Sequence, residues 1–468
     1  MQISNRASDK LARFIFPLFV LILVACQGGT SSVVSTATVV PSSPTPTTTP
    51  PTNTFWIDSS QDLGQISKFV LGANHGPWSD LGVANLEPAK TSGITFLRWP
   101  GGNWGDQNDV QTYQIDYYIT QAHLLGAEPS ITVRLLNGTP EQAAQLVQYA
   151  NIEKRYGIKY WSIGNEPDLY IVKDSTWTPQ FYAKRWREFA TAMKAVDPTI
   201  QFYGPEISGF LGDVDSFHPR ELLYANSVKL EFTKRDYLTE FLKVNADLVN
   251  IVAVHQYAFP ISGTQDNPTW AEMRADEAEW DRIVPNLHRI IKETTGNDKP
   301  VAVTEFDSNA TESVGTETSP DSFYNALWLA DVLGRMIRTQ PDITAYWLLK
   351  NANTGHGLLG GFDIRPTYYV YQLYKQFGDH LLRASSPEQS VSLFAAKRED
   401  NTVTAIFVNS GDQAVSKPLR IENGDQLKLV ETYLFDVTHK AESITPPTFK
   451  NGDAINLPAQ SVIMYILK

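Results

Sequence analysis

Two segments of this chain carry an apolar, strand-forming run up to a glutamate: Tyr160-Trp161-Ser162-Ile163-Gly164-Asn165-Glu166-Pro167 and Val301-Ala302-Val303-Thr304-Glu305-Phe306. A single glutamate at a strand end reads as a solvated carboxylate or the partner of a helix dipole. A pair has further chemistry open to it. Cleavage of a glycosidic bond with retention needs two carboxyls ~5 to 5.5 Å apart, one to attack the anomeric carbon and one to protonate the leaving oxygen. If both strands belong to one parallel barrel, their C-terminal ends converge on the mouth, where side chains from facing strands can reach that separation. Glu206, after Gly204-Pro205, is the main rival carboxylate, expected to line the cleft or to pair with an arginine. Asp168 and Asp307 follow the two glutamates closely and are expected to be hydrogen-bonding supports.

The elements needed to hold such a pair are legible from residue 69 onward. Short β-branched or aromatic runs alternate there with longer amphipathic stretches, the signature of parallel βα units. Strands are expected at Phe69–Asn74, Thr95–Pro100, Ser130–Leu135, Tyr160–Asn165, Gln201–Pro205, Leu248–His255, Val301–Glu305 and Ala345–Leu349. Helix starts are marked by Thr139-Pro140 with Gln142, by Thr178-Pro179 and by Ser319-Pro320, and a last helix follows Arg365-Pro366 and stops at Gly378. Eight such units fit an α/β fold of the TIM (β/α)8 barrel type over residues 55–380, with Glu166 and Glu305 on strands four and seven. Beyond it, Val391–Ala395, Thr402–Val408, Leu427–Phe435 and Ser461–Leu467, separated by turn signals such as Asn451-Gly452, predict an antiparallel β-sandwich over 381–468. Thr54–Ile57 is positioned to add a strand to it.

On these residues the chain resembles clan A of the glycoside hydrolases, whose members carry Asn-Glu-Pro at the end of strand four and a glutamate ending strand seven. The resemblance spans about residues 69–378. It implies that Glu166 is the acid/base and Glu305 the nucleophile of a retaining glycosidase acting on oligo- or polysaccharides without a cofactor. It further implies that Arg98 contacts the nucleophile, that Asn165 binds the sugar 2-hydroxyl, that His255 and Tyr257 form the strand-six His-x-Tyr pair, and that Trp347 floors the subsite. The chemistry of these roles is coherent. A guanidinium beside Glu305 favours its charged form, as a nucleophile requires. Glu166 must keep a proton until the bond breaks, which the negative charge on Glu305 favours; once Glu305 is glycosylated that charge is gone and Glu166 can serve as base. Arg98-Trp99-Pro100-Gly101-Gly102 and the C-terminal sandwich look closest to the arabinofuranosidase, β-xylosidase and β-glucuronidase branches, and are similar also to some endoglucanases.

Of eleven tryptophans, Trp161, Trp186, Trp280 and Trp328 lie within strands or helices and are expected to pack the core. Trp78, Trp99, Trp104 and Trp347 lie at strand ends or in βα loops, and Trp99, Trp104 and Trp347 are taken as substrate-binding candidates. Gly101-Gly102-Asn103-Trp104-Gly105 lacks the Lys-Ser/Thr ending of a phosphate loop and is expected to let backbone approach a sugar. No histidine pair has zincin spacing, so no metal is implied; His123, His288 and His380 are expected to be structural or surface residues.

The N-terminus predicts an address. Arg6, Lys10 and Arg13 precede an apolar run from Phe14 to Ala25, which is too short to span a bilayer, and then Cys26, the only cysteine of the chain. Leu23-Val24-Ala25-Cys26 looks like the lipobox of bacterial lipoproteins, with residues 1–25 a signal peptide and Cys26 the lipidated start of the mature chain. Residues 26–54, rich in Ser, Thr and Pro, then form an extended tether. The expectation is an extracytoplasmic protein held to a bacterial membrane through lipid on Cys26. Net charge is -12, and removing residues 1–25, which carry two net positive charges, leaves -14. Such an acidic surface argues against nucleic acid as a partner. The same N-terminus introduces substrate-binding lipoproteins of importers, but those have two similar lobes rather than eight successive βα units. A non-catalytic carbohydrate-binding lipoprotein is the other alternative.

Overall fold

The computed structural model describes residues 49–211, 232–259 and 267–468. Cys26, the signal peptide and nearly all of the tether lie outside them. Among the described residues no helix is long and apolar enough to cross a membrane.

Eight parallel strands close into a barrel: β2 (Phe69–Asn74), β3 (Phe96–Trp99), β4 (Glu128–Val133), β5 (Tyr160–Ile163), β6 (Gln201–Ile207), β7 (Val249–Phe259), β8 (Val301–Asn309) and β9 (Ile343–Tyr346), with β9 pairing back onto β2. The strand before them, β1 (Phe55–Gln65), belongs elsewhere. Strand alternation fills the interior in tiers. At the bottom the rings of Phe69, Phe96, Tyr160 and Tyr203 meet one another tilted or edge to face and pack with Ile251, Ala253, Ala302 and Ile343. Above them come hydroxyls, Ser130 with the Tyr203 hydroxyl at 3.0 Å and Ser162 donating to Thr132 at 2.8 Å. The charged side chains occupy the top. The outward residues of the same strands, such as Leu97, Ile131, Trp161 and Val303, pack under the helices.

The helices begin largely where the caps announce them. Thr139 and Thr178 accept the amides of Gln142 and Phe181, and helices Pro140–Val147 and Pro179–Val196 carry proline in their first turns. Ser319-Pro320 does not start a helix: that element runs Phe323–Thr339 and is capped by Ser322, whose hydroxyl accepts the Asn325 amide.

β1 joins the C-terminal strands β10 (His380–Ser385), β11 (Val391–Lys397), β12 (Val403–Asn409), β13 (Val415–Glu422), β14 (Leu429–Phe435), β15 (Lys440–Ile444), β16 (Ala454–Leu457) and β17 (Ser461–Leu467). The expected sandwich is thus one nine-stranded sheet in the order β15-β14-β17-β12-β11-β10-β1-β13-β16, curled around its own core. β1 lies between β10 and β13, so the sheet, rather than the barrel, owns residues 55–65. β17 is buried on both faces: Ile463, Tyr465 and Leu467 enter the sheet's core, while Val462, Met464 and Ile466 join the barrel's. The two bodies touch closely. A Cβ on Gly334, in the Phe323–Thr339 helix, would fall 2.3 Å from the Phe394 ring of β11.

Candidate active site

The carboxylates at the barrel mouth are aimed by departures from regular strand geometry. In β8, Val301 and Val303 face outward, so strict alternation would turn Glu305 outward as well. The register with β7 slips between Val303 and Glu305, and the extra residue, Thr304, rotates Glu305 into the barrel. After β5 the chain bends through Gly164, at φ +84°, and Glu166, at φ +47°. A side chain at Gly164 would meet Leu135 at 2.9 Å, so the bend requires glycine. In β6, Glu206 is left-handed at φ +57° and sits where the register with β7 shifts. Left-handed conformations in non-glycine residues cluster where function holds them.

Arg98, fully buried at the end of β3, is the hub. Its Nη1 donates to Asn74 Oδ1 at 2.7 Å and to Glu305 Oε2 at 2.9 Å. Nη2 donates to Asn165 Oδ1 at 2.8 Å and Glu206 Oε2 at 3.1 Å, and Nε lies 2.9 Å from Glu206 Oε1. The other oxygen of Glu305 accepts from the Tyr257 hydroxyl at 2.9 Å. His255 Nδ1 is 3.3 Å from Glu166 Oε1 and 3.9 Å from Glu305 Oε2, and its Nε2 is 3.5 Å from Glu206 Oε1. The ligand-type atoms of Glu166, His255 and Glu305 all fall within 4.8 Å of one another. Glu166 keeps 14% of its side chain exposed and Glu305 6%, so the former faces the opening.

The electrostatics follow from burial against charge. Burial raises Glu305 above the usual carboxylate range, with His255, Arg98 and the Tyr257 hydroxyl opposing and Glu166 adding to the rise. Burial also pushes Glu206 up, but Arg98 and His255 outweigh it and bring it down to about 2. His255 is buried too, which disfavours its charge, yet Glu305 and its contacts with Glu166 and Glu206 raise it to about 9. Near neutral pH two cations therefore stand among three carboxyl groups.

Supports surround this centre. Asp106 accepts the amides of Leu135 (2.9 Å), Leu136 (3.2 Å) and Asn165 (2.8 Å) and is touched by the Tyr170 hydroxyl, tying the ends of β4 and β5 together. Asp168 accepts from Ser208 N at 2.9 Å and Ser208 Oγ at 2.7 Å and pairs with buried Lys234, while Asp307 accepts from His356 at 2.9 Å and Tyr346 at 3.2 Å. Both act as the hydrogen-bonding supports expected of them, and Glu206 is the arginine partner. Asn74 and Asp106 were not singled out from the sequence. Their partners are a guanidinium and main-chain amides far away along the chain, which leave no local pattern.

Arg98, Asn165, Glu166, Glu206, His255, Tyr257 and Glu305 thus converge. Trp347 lies beside them on the rim, half-buried, and Trp104 is half-buried at the start of the short helix Trp104–Gln107 that follows β3, where Asn165 Nδ2 reaches Asn103 Oδ1 at 3.2 Å. Trp99 does not join them. It is 2% exposed and stacks on Tyr118 at 4.7 Å with the rings 8° apart, because in β3 an inward Arg98 puts its neighbour outward under a helix. The glycine pair also makes room for tryptophan: a Cβ on Gly102 would fall 2.5 Å from the Trp347 ring. Among the described residues, Glu166, His255 and Glu305 are the one set close enough to share a metal ion, and a cation there would occupy the space between the two carboxyls.

Comparison with known proteins bears on this geometry. The chain is 24% identical over 181 residues to alpha-L-arabinofuranosidase C of Emericella nidulans, a match covering 29% of this chain and 36% of that protein. It is 23% identical over 227 residues to the intracellular exo-alpha-(1->5)-L-arabinofuranosidase of Streptomyces lividans, covering 39% and 30%. The chain spans about a third of the length of these relatives. The family 51 arabinofuranosidase structure from Xanthomonas axonopodis pv. citri superposes with a TM-score of 0.66 at 16% identity, over 89% of this chain and 99% of that one. CelM2, a bifunctional glucanase-xylanase from a metagenome library, superposes with 0.67 at 15% identity, over 90% and 99%. These likenesses establish a shared barrel-and-sheet fold. The model of glycosyl hydrolases family 39 matches residues 142–410, more than half of the chain and a span that includes both glutamates, and the chain belongs to that family.

Proposed function

We propose that the protein is a retaining glycosidase that hydrolyses O-glycosidic bonds of oligo- or polysaccharides by double displacement. One observation carries the reading: carboxyl oxygens of Glu166 and Glu305, from strands across the barrel, lie within 4.8 Å of each other, no farther apart than the ~5 to 5.5 Å of retaining enzymes and well short of the ~6.5 to 9.5 Å of inverting ones. Glu305, held through one oxygen by Arg98 and through the other by Tyr257, attacks the anomeric carbon. Glu166, the more exposed of the two, protonates the departing oxygen and later takes a proton from the water that releases the sugar. Asn165, fixed by Arg98, presents its amide to the 2-hydroxyl. Arabinofuranosidases among the relatives make α-L-arabinofuranosides the first substrates to try, followed by β-xylosides and β-glucuronides.

The test uses azide as a small replacement nucleophile. Glu166→Ala loses about 10² to 10⁴ in rate on natural leaving groups. On an activated aryl glycoside it still glycosylates Glu305, and azide then gives a product of retained configuration. Glu305→Ala forms no covalent intermediate, so azide attacks from the nucleophile's side and gives the inverted anomer. Identical anomers from both variants, or near-wild-type turnover by Glu305→Ala, would reject the assignment and make Glu206 the next residue to replace.

The reading extends to location. The basic start, short apolar run and Cys26 support attachment to a bacterial membrane through lipid on that cysteine, with the enzyme on the extracytoplasmic side. Cys26→Ser is expected to release an active soluble enzyme. A variant that still sediments with membranes would remove the anchor from the proposal.

A further inference from the structure

The rim of the barrel carries a row of indoles that begins opposite Glu166, after β9, and runs over β2 to β3. Trp347 follows β9, beside the nucleophile strand, its amide donating to the Phe306 carbonyl at 2.8 Å. Trp78 follows β2 and Trp104 follows β3. The Trp347 and Trp78 rings lie 6.1 Å apart at 32°, and Trp78 and Trp104 6.4 Å apart at 39°. The backbone makes room for them, since a Cβ on Gly76 would sit 1.8 Å from the Trp78 ring. All three rings are half-buried, whereas Trp56, Trp161, Trp186, Trp280 and Trp328 are sealed in the core. Core packing therefore accounts for those five and leaves this row with apolar surface open at the mouth.

The direction of the row has a chemical meaning. The leaving oxygen must lie beside the acid, at the end of β5, and the transferred sugar must lie over Glu305. β9 is four strands from β5 around the eight-stranded barrel, so it stands opposite. A chain whose departing part leaves past Glu166 has its retained part directed toward β9 and β2. Flat indole faces match the apolar C–H faces of sugar rings, as aromatic side chains match other rigid rings.

We propose that Trp78 and Trp104 form a platform for one or two further sugar units on the non-reducing side of the transferred residue, so that the enzyme takes a glycone longer than a single sugar. The proposal rests on Glu166 being the acid and Glu305 the nucleophile, and it deepens that reading from bond type to substrate length. Units bound there are remote from the reacting bond, and their binding energy can be used in the transition state.

Two measurements test it. The first compares kcat/KM for 4-nitrophenyl glycosides bearing one, two or three linked sugars, in the β-xylosyl, β-glucosyl and α-L-arabinofuranosyl series. Wild type is expected to favour the two-sugar over the one-sugar compound by about tenfold or more in the series it accepts, and Trp78→Ala to bring that ratio close to one, with Trp78→Phe between. The ratio is the readout because general damage to the fold lowers both rates together. A single-sugar compound as the fastest substrate, or a ratio unmoved in Trp78→Ala, overturns the platform. The second titrates Glu166→Gln and the double variant Glu166→Gln, Trp78→Ala with xylotetraose, cellotetraose and arabinotetraose by calorimetry. Loss of Trp78 is expected to weaken binding about tenfold or more, the equivalent of ~1.4 kcal/mol. Trp78-dependent binding by a wild-type protein that cleaves none of the aryl glycosides would sink the hydrolytic reading and keep the platform. Turnover with tetrasaccharide binding indifferent to Trp78 would do the reverse.

Discussion

Glu206→Gln removes one negative charge from the centre of the site while keeping the shape of the side chain. Its carboxylate and the Arg98 guanidinium are both essentially without solvent, 2.9 and 3.1 Å apart at their two contacts. Breaking a buried pair by neutralising one partner costs about 3 to 5 kcal/mol. Arg98 retains Glu305 at 2.9 Å, so its charge is not stranded and the lower figure applies, about 3 kcal/mol of stability. A second effect carries a distinctive sign. His255 is raised from 6.5 to about 9, so it contributes stability that is complete below pH 6.5 and lost as pH rises through about 9. The shift corresponds to about 3 kcal/mol. Glu206 is one source of that rise, so in the variant the loss begins at a lower pH. The assay is urea unfolding followed by tryptophan fluorescence at pH 6, 7.5 and 9.5 for both proteins. The variant should be about 3 kcal/mol less stable at pH 6, and its alkaline decline should start earlier. A variant within about 1 kcal/mol of wild type at pH 6, with an unmoved alkaline limb, would refute the view that Glu206 anchors this charge cluster.

Tyr257→Phe takes a hydrogen bond from Glu305 that favours its ionised form, so the acid limb of kcat/KM against pH should move to higher pH, with a loss of about tenfold or more at neutrality; an unmoved limb would exclude Tyr257 as a support of the proposed nucleophile. Gly164→Ala puts a Cβ at φ +84° and 2.9 Å from Leu135, which should destabilise by about 1 to 3 kcal/mol and displace Glu166; a variant with unchanged melting temperature and rate would show that the bend tolerates a side chain. Glu206, brought down to about 2 from 4.5, contributes stability present above pH 4.5 and lost as pH falls through 2, so acid titration followed by circular dichroism should show wild type outlasting Glu206→Gln between those values. Activity should survive a chelator, since among the described residues those close enough to hold a metal are the two carboxyls proposed to do the chemistry, with His255; a loss reversed by added divalent ion would contradict this.

The barrel was readable because its strands are short apolar runs with capped helices between them, and the glutamates because each closes such a run. What escaped reading is nonlocal. Strict alternation from Val301 and Val303 turns Glu305 away from the cleft, and only the bulge at Thr304 brings it back, a feature set by pairing with β7. Trp99 was legible in principle: once Arg98 faces inward, the next residue must face the helices. Asp106 was not, since its value lies in amides of residues 135, 136 and 165. The C-terminal strands β13, β15 and β16 were missed because Val415–Glu422 and Lys440–Ile444 are largely polar and half-exposed, and Ala454–Leu457 is only four residues long. β10 was missed because its buried positions are few.

The placement of β1 bears on how the molecule comes into being. This strand emerges from the ribosome before any barrel strand, yet its neighbours β10 and β13 are made after the whole barrel, and Trp56 finds the Glu422 carboxylate across 366 residues of chain. The loop to be closed is nearly as long as the folded body, so this docking belongs among the late and slow events of folding. Until then Phe55 and Ile57 remain bare, and β10 and β13 each offer an open edge to any passing strand. Overproduction is therefore expected to be limited by strand exchange between copies at this gap, and a synthetic peptide of residues 55–65 supplied during refolding should cover the open edges and lower the aggregated fraction; an unchanged fraction would contradict this.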